Sequence, residues 1–455
     1  MARRHRFLFI FLSAAVLLAA GFFALLTARI EPAIRVGTAV VSQTLCGGVY
    51  VSGLAPDRVY GEEIEPRSSM RTLLKRLHYT VDRSRHQVTA TWAGRFAAVA
   101  TYHDDYGCTL GNANFPAPGL APQAPEVPAT FIAPASPKLA AALDRAFAEP
   151  SRPPFRRVRA IVVMRDGKIV AERYAEGIGP DTPLIGYSVS KSVMHALVGI
   201  LVREGKLDLY APAPVRAWSE PGDPRHAITL DNLLRMTSGL NLTENDSGFD
   251  PVSRMMFLER DTAAFAERAR LRNPPGSTWE YTSGNTMIVS AIVRDAAGGH
   301  AADVLRFAHA QLFDPIGMRH VTMEFDDAGT PIGCTRIYAS ARDWARFGEL
   351  YLDDGVVNGT RILPQGWAAY AARPTLDSPY GSGFWTNEGR SADALGRVQA
   401  GMPADSYFAS GNFGQRIVIV PSQRLVIVRF GATIDYPGED IHGLTRLVSD
   451  VIAAQ

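Results

Sequence analysis

The chain has 455 residues and a formal net charge of +2, from 47 basic and 45 acidic residues. This length suffices for more than one domain and a large hydrophobic core. The balanced charge, without a basic patch interleaved with aromatic residues, argues against a nucleic-acid partner.

The first predicted element is an apolar helix near the N-terminus. Residues 7–27 carry no charge and follow Arg3, Arg4 and Arg6. Such a run is long enough to span a bilayer, and its basic flank would stay in the cytoplasm. A cleaved signal peptide is the alternative, with a cleavage site at Leu26-Thr27-Ala28. We favour an uncleaved anchor over residues 1–30, which predicts a single-pass inner-membrane protein with its remainder in the periplasm. Cleavage would instead leave it periplasmic or secreted.

Residues 31–115 are predicted to form a small N-terminal domain, or a structured preamble packed against the main body. Residues 30–41 have an extended pattern. Residues 87–102 alternate around Trp92-Ala93-Gly94-Arg95, which predicts a hairpin with a short turn.

The chain has three cysteines, Cys46, Cys108 and Cys334. Because export permits disulfides, we pair the two in the N-terminal region, Cys46 and Cys108, and expect Cys334 to be a buried thiol. No Cys-x-x-Cys or His-Glu-x-x-His motif is present, so the sequence predicts no metal and no cofactor.

Seven prolines in residues 116–137 predict a semi-rigid extended linker, or a strap around the next domain. Residues 138–455 are predicted to form the main domain. A strand pair is predicted near each end of this domain, at 159–164 with 169–174 and at 416–420 with 425–430. Helices are predicted between the two pairs, and a last helix at 442–453 closes the chain. This order fits an α/β (α+β) fold, in which both ends build an antiparallel sheet and a helical subdomain is inserted.

The most informative stretch is Ser188-Val189-Ser190-Lys191, which opens the largely apolar segment 189–202. This segment predicts a buried helix. Serine and lysine three residues apart share one helix face, and Ser-x-x-Lys is a serine-nucleophile signature. A lysine inside an apolar helix is costly without a partner or a role. Burial and the helix N-terminus are expected to displace its proton, so that Lys191 activates Ser188 as a base. His195 lies too far from Ser188 to serve as that base and is predicted to be a core or rim residue.

Two later stretches carry polar groups of interest. Residues 274–285 predict a turn that presents Tyr281 before a helix and include Ser283 and Asn285. Residues 409–415 enter a strand and contain glycines, which permit close approach of the backbone to a ligand.

In this order and spacing, Ser188-x-x-Lys191, Tyr281-x-Ser283 and Asn412-Phe413-Gly414 resemble the motifs of the penicillin-recognising serine hydrolases. The nearest groups are class C β-lactamases, DD-peptidases, family VIII esterases and 6-aminohexanoate-dimer hydrolases. The resemblance covers roughly residues 138–455 and implies a β-lactamase/transpeptidase-like fold.

The resemblance also implies roles for individual residues. Ser188 would be the acylated nucleophile, and Lys191 and Tyr281 would share proton transfer, with Tyr281 a tyrosinate-like base whose pKa Lys191 lowers. The backbone N–H groups of Ser188 and Gln415 would form the oxyanion hole. Substrate contacts would come from Ser283, Asn285, Asn412 and Gly414.

Two positions depart from the motifs of the family. The second motif usually ends in Asn, and this chain has Ser283 there, with Asn285 two residues later. The third motif usually begins with Lys or His, and Asn412 removes that cation, although Arg390 or Arg397 could replace it. The sequence thus predicts a serine hydrolase of small esters or amides. The alternatives are a non-catalytic penicillin-binding-like sensor of cell-wall peptides and a true β-lactamase or DD-peptidase. No Gly-x-Ser-x-Gly elbow occurs, which excludes an α/β-hydrolase.

Overall fold

The computed structural model describes residues 30–121, 130–245 and 247–454. The predicted membrane anchor, residues 7–27, lies outside these ranges. Within them, no helix combines the length and the apolar character needed to cross a bilayer.

The N-terminal region begins with helical segments and continues as an antiparallel sheet. Its elements are α1 (residues 30–46), α2 (Pro56–Val59), α3 (Arg71–Leu74), β1 (Leu77–Asp82), β2 (Gln87–Trp92), β3 (Arg95–His103) and β4 (Gly107–Thr109), with π-helical turns at Gly47–Val51 and Tyr60–Ile64. The predicted hairpin is confirmed, since β2 and β3 pair antiparallel. Ala93 and Gly94, between them, both adopt the positive φ of a tight turn. Cys46, at the end of α1, and Cys108, in β4, are joined by a disulfide.

The extended conformation predicted for residues 30–41 is wrong, because this segment is the start of α1. Ile34, Val41 and Leu45 are buried and recur at helical spacing along one face. On sequence alone the pattern of residues 30–41 is interpreted as extended, but packing of this buried face against the rest of the chain favours the helix.

The main domain contains eleven strands and eleven α-helices within the described ranges. The strands are β5 (Val158–Arg165), β6 (Lys168–Tyr174), β7 (Leu184–Ile185), β8 (Thr322–Met323), β9 (Ile337–Ala339), β10 (Val356–Val357), β11 (Thr360–Arg361), β12 (Trp385–Thr386), β13 (Tyr407–Gly411), β14 (Gln415–Val420) and β15 (Leu425–Gly431). The helices are α4 (Pro137–Phe147), α5 (Ser190–Arg203), α6 (Leu230–Leu234), α7 (Pro251–Leu258), α8 (Thr262–Glu267), α9 (Ser283–Ala297), α10 (Ala301–Ala308), α11 (Ala341–Leu352), α12 (Trp367–Ala372), α13 (Ala392–Gln399) and α14 (Ile441–Ala453).

The main sheet is antiparallel, with strand order β12-β13-β14-β15-β5-β6. Strands from the two ends of the domain meet where β15 pairs with β5, which confirms the predicted architecture. Alternate residues of β5 point to opposite faces. Val162 joins the core shared with the helical subdomain, whereas Ile161 and Val163 pack towards α4 and α14. The sheet is therefore buried on both faces.

The described part of the proline-rich segment follows the surface of the main domain. Ile132 donates its backbone N–H to the Glu172 carboxylate, and Ala135 donates to the carbonyl of Val170 in the edge strand β6. Residues 130–136 thus extend along the sheet edge.

Candidate active site

Ser188 lies in a 3₁₀ turn, Tyr187–Val189, that leads directly into α5. The turn is tied to β9, because Gly186 donates to the carbonyl of Ile337 and Ser190 Oγ accepts from the Ile337 N–H. One turn into the helix, Lys191 places its Nζ 3.0 Å from Ser188 Oγ. The predicted nucleophile and lysine therefore share a helix face.

Lys191 is almost fully buried and uses all three of its N–H donors. Besides Ser188 Oγ, it donates to Ser283 Oγ and to the carbonyl of Cys334, each at 3.0 Å. Three acceptors around one nitrogen fit an ammonium group. Burial acts to lower the pKa of Lys191, but Tyr281 and Glu244 outweigh it and the pKa is raised. Burial alone therefore does not displace the proton of Lys191 in this cluster. The role of Lys191 as the base stays a prediction.

Tyr281 joins this cluster from the loop before α9. Its hydroxyl contacts both Ser188 and Lys191, and Lys191 Nζ lies 4.9 Å from the centre of its ring. Burial raises the pKa of Tyr281, and the Lys191 ammonium offsets only part of that rise. Lys191 thus lowers the pKa of Tyr281, as predicted, but burial outweighs it. The role of Tyr281 as a tyrosinate-like base stays a prediction. All three predicted catalytic residues nevertheless meet.

Glu244 is a member of the site that the sequence did not indicate. Ser283 donates its hydroxyl to Glu244 Oε1 at 3.0 Å and its backbone N–H to Glu244 Oε2. Since Lys191 also donates to Ser283 Oγ, one chain of hydrogen bonds runs from Ser188 through Lys191 and Ser283 to Glu244. The negative charge of Glu244 also raises the pKa of Lys191 and of Tyr281.

Two of the four predicted substrate contacts have other partners in the structure. Asn285 is buried, accepts a hydrogen bond from Ser238 Oγ at 2.7 Å and contacts Met236 Sδ. Gly414 accepts from Arg429 Nη1 at 2.8 Å, and a Cβ on this glycine would lie 2.0 Å from the same nitrogen. Both residues thus have partners within the protein, and their contacts with a substrate stay predictions. Ser283 joins the cluster of Ser188, Lys191 and Tyr281 through its bond with Lys191.

The end of β13 lies directly against the nucleophile turn. A Cβ on Gly411 would lie 3.0 Å from the backbone nitrogen of Ser188 and 2.2 Å from the carbonyl oxygen of Gly186. Gln415 faces Gly411 across the hairpin, and its side chain bonds the carbonyls of Asn412 and Phe413. This close approach brings the 411–415 turn to the nucleophile. The role of the Gln415 N–H as the second oxyanion donor stays a prediction.

His195 is a core residue, as predicted. Its Nδ1 lies 2.7 Å from the hydroxyl of Tyr351. Burial, with a contribution from Arg235, lowers the pKa of His195 to about 3, so the ring is neutral and serves packing.

Comparison with known proteins identifies the fold. The Beta-lactamase family model matches residues 155–448. The chain belongs to this family. It is 26% identical over 302 residues to a 6-aminohexanoate-dimer hydrolase of Paenarthrobacter ureafaciens, which covers 63% of this chain and 75% of the relative.

Solved structures show the same fold. A family VIII carboxylesterase superposes with a TM-score of 0.54 at 16% identity, over 72% of this chain and 99% of the esterase. A class C β-lactamase from Rhodobacter sphaeroides gives a TM-score of 0.50 at 19% identity, over 70% and 99% of the two chains. Family membership confirms the predicted superfamily and agrees with the prediction of a serine hydrolase.

Proposed function

We propose that this protein hydrolyses small esters or amides through an acyl-enzyme on Ser188. The observation that carries the proposal is the buried cluster in which Lys191 Nζ and the Tyr281 hydroxyl both contact Ser188. The relative from Paenarthrobacter ureafaciens is named for hydrolysis of an amide dimer, and a structural neighbour is named a carboxylesterase. Both names support this class of substrate.

The geometry supports a two-step reaction. Loss of one proton from the Lys191–Tyr281 pair creates the base, which accepts the Ser188 proton as Oγ attacks the acyl carbon. The pair then returns a proton to the leaving alcohol or amine, and the acyl group stays on Oγ. Water attacks the acyl-enzyme by the same route and restores Ser188. Backbone N–H groups of Ser188 and of the 411–415 turn would stabilise the negative oxygen in both steps.

Covalent labelling separates an enzyme from a non-catalytic sensor. A fluorophosphonate should add to Ser188 with one label per chain. Mass spectrometry of a digest should then find the label on the peptide that contains Ser188. The unlabelled protein should also turn over a short p-nitrophenyl ester. An intact, folded protein that neither reacts with the probe nor hydrolyses the ester would be a binding protein, and the proposal would be wrong.

Neutral esters are expected to be better substrates than β-lactams. Asn412 offers ordinary hydrogen bonds where the family usually has a cation, and charge-assisted bonds to a carboxylate are stronger. The guanidinium of Arg397 already donates to Asn387 Oδ1 and to the carbonyl of Thr386, which supports a site without that cation. We expect kcat/KM for p-nitrophenyl butyrate to exceed that for nitrocefin, and Asn412→Lys to narrow the gap. A wild type that prefers nitrocefin would contradict this prediction.

Replacing Glu244 with glutamine should shift the pH dependence of kcat/KM to lower pH. The base forms when the Lys191–Tyr281 pair loses a proton, so activity should rise with pH. Glu244 raises the pKa of both groups, and neutralising it lets the base form at lower pH. Asp144→Asn is the matched control, because it removes the same charge at an exposed site. A profile of Glu244→Gln that coincides with wild type, or moves to higher pH, would remove Glu244 from the proton pathway.

We also propose that residues 1–30 anchor the protein in the inner membrane, with the domain of residues 138–455 in the periplasm. The uncharged run 7–27 and its basic flank support this placement. The test is fractionation of cells that express the protein. Recovery of the full chain in the membrane fraction supports the anchor, and release of a chain that begins at residue 29 contradicts it.

A further inference from the structure

The N-terminal region reaches the nucleophile although the family match does not include it. The Beta-lactamase model begins at residue 155, whereas the π-helical turn Tyr60–Ile64 and the following Arg67 lie far earlier in the chain. Glu63 contacts Tyr187, the residue before Ser188. Arg67 contacts Phe413, which lies in the 411–415 turn.

The first contact is to Tyr187, the residue directly before Ser188. Its φ is +46°, which is strained for a bulky side chain and persists only when the surroundings hold it. The Tyr187 hydroxyl donates to Glu63 Oε2 at 3.3 Å. Its ring meets Phe413 edge-on, with centroids 5.1 Å apart. The conformation of the nucleophile turn therefore depends on Glu63 on one side and Phe413 on the other.

Glu63 is itself fixed to the main sheet. Its Oε1 accepts from Arg159 Nη1, in β5, at 2.7 Å, and both side chains are buried. The neighbouring Glu62 accepts from the other guanidinium nitrogen of Arg159 at 2.8 Å. Glu63 thus links the sheet to Tyr187, whereas Glu62 shares the arginine and has no bond to Tyr187.

The second contact is to Phe413, which also has a positive φ of +62°. The Arg67 guanidinium lies 4.8 Å from the centre of the Phe413 ring, within the range of a cation–π interaction. Arg67 in turn donates its Nε to the carbonyl of Glu63 at 2.6 Å. One short segment therefore holds two strained residues, one beside the nucleophile and one in the turn that faces it.

We propose that Glu63 and Arg67 are positioning residues, through which the N-terminal region fixes the relative placement of Ser188 and the 411–415 turn. This inference rests on the proposed function, because it assigns these residues to the same acyl-transfer site. Neither residue touches the reacting atoms. Their effect should therefore appear in the rate of acylation, with little change in substrate binding.

The test is a double-mutant cycle of Glu63→Gln and Tyr187→Phe. We expect each substitution to lower kcat for p-nitrophenyl butyrate about tenfold, since small misplacements of reacting groups are costly. KM should change little. The double variant should be no slower than the slower single variant, because both substitutions act on the same hydrogen bond, between the Tyr187 hydroxyl and Glu63. Glu62→Gln is the matched control, with the same charge change and the same arginine partner, and should keep the kcat of the wild type. Arg67→Ala should also slow acylation, and Arg67→Lys should recover part of the loss.

The rate of fluorophosphonate labelling of Ser188 gives a second measurement that needs no substrate. Folded Tyr187→Phe and Glu63→Gln proteins that match wild type in both kcat and labelling rate would overturn the inference and leave the proposed function standing. Equal losses in Glu62→Gln and Glu63→Gln would also overturn it, by assigning the effect to the ion pair with Arg159. A wild type that is never labelled would overturn the proposed function and this inference together.

Discussion

Replacing Ser188 with alanine is expected to abolish turnover of every substrate while the fold is kept. The substitution removes one oxygen, which in the structure accepts a hydrogen bond from Lys191. Lys191 keeps Ser283 Oγ and the Cys334 carbonyl as acceptors, so no buried charge is left without partners. Loss of the nucleophile should lower kcat by a factor on the order of 10⁶.

The measurement combines kcat for p-nitrophenyl butyrate, labelling by a fluorophosphonate and the thermal unfolding midpoint. Ser219→Ala is the control, because Ser219 is exposed and bonds only within its own turn. The Ser188→Ala protein should unfold near the wild-type temperature and take up no label. Undiminished turnover in this variant would show that another residue is acylated.

The strands of the main sheet could be predicted because their signals are local. The β5–β6 hairpin turns at Asp166-Gly167, and both residues adopt positive φ. Apolar residues fill each strand, since both faces of the sheet are covered. By contrast, α1 was predicted to be extended because its local pattern is ambiguous, and only its burial against other parts of the chain decides for the helix.

The clustering of Ser188, Lys191 and Tyr281 could be predicted because two of them share one helix turn and the third follows a family motif. Glu244 could not, since it lies 39 residues before Ser283 and meets it only through the tertiary fold. Glu63 is separated from Tyr187 by 124 residues. No local pattern marks such long-range partners.

The partners of Asn285 could not be predicted from the motif, for a geometric reason. It follows Ser283 by two positions in α9, which rotates its side chain by about 200° around the helix axis. Ser283 therefore faces Lys191, whereas Asn285 faces the turn that contains Ser238. Closeness to a motif in the sequence therefore does not show which neighbours a polar side chain has in the fold.

Lys191→Ala and Tyr281→Phe are each expected to lower kcat/KM by about 10³, within the range of general base catalysis. The double variant should be little slower than either single variant. The reason is geometric: Lys191 and Tyr281 contact each other and the same Ser188 oxygen. Removing either group disables the shared base that accepts the Ser188 proton. Removing the second group therefore lowers kcat/KM little further.

A double-mutant cycle on kcat/KM measures this coupling. If the double variant also loses about 10³, the coupling free energy is about 4 kcal/mol, since each factor of ten corresponds to about 1.4 kcal/mol. Lys206→Ala and Tyr210→Phe are the controls, because both side chains are exposed. Thermal unfolding must accompany the kinetics, because Lys191→Ala also leaves buried acceptors unpaired. Losses that multiply to about 10⁶ would mean that the two groups act in separate steps, and the shared base would have to be abandoned.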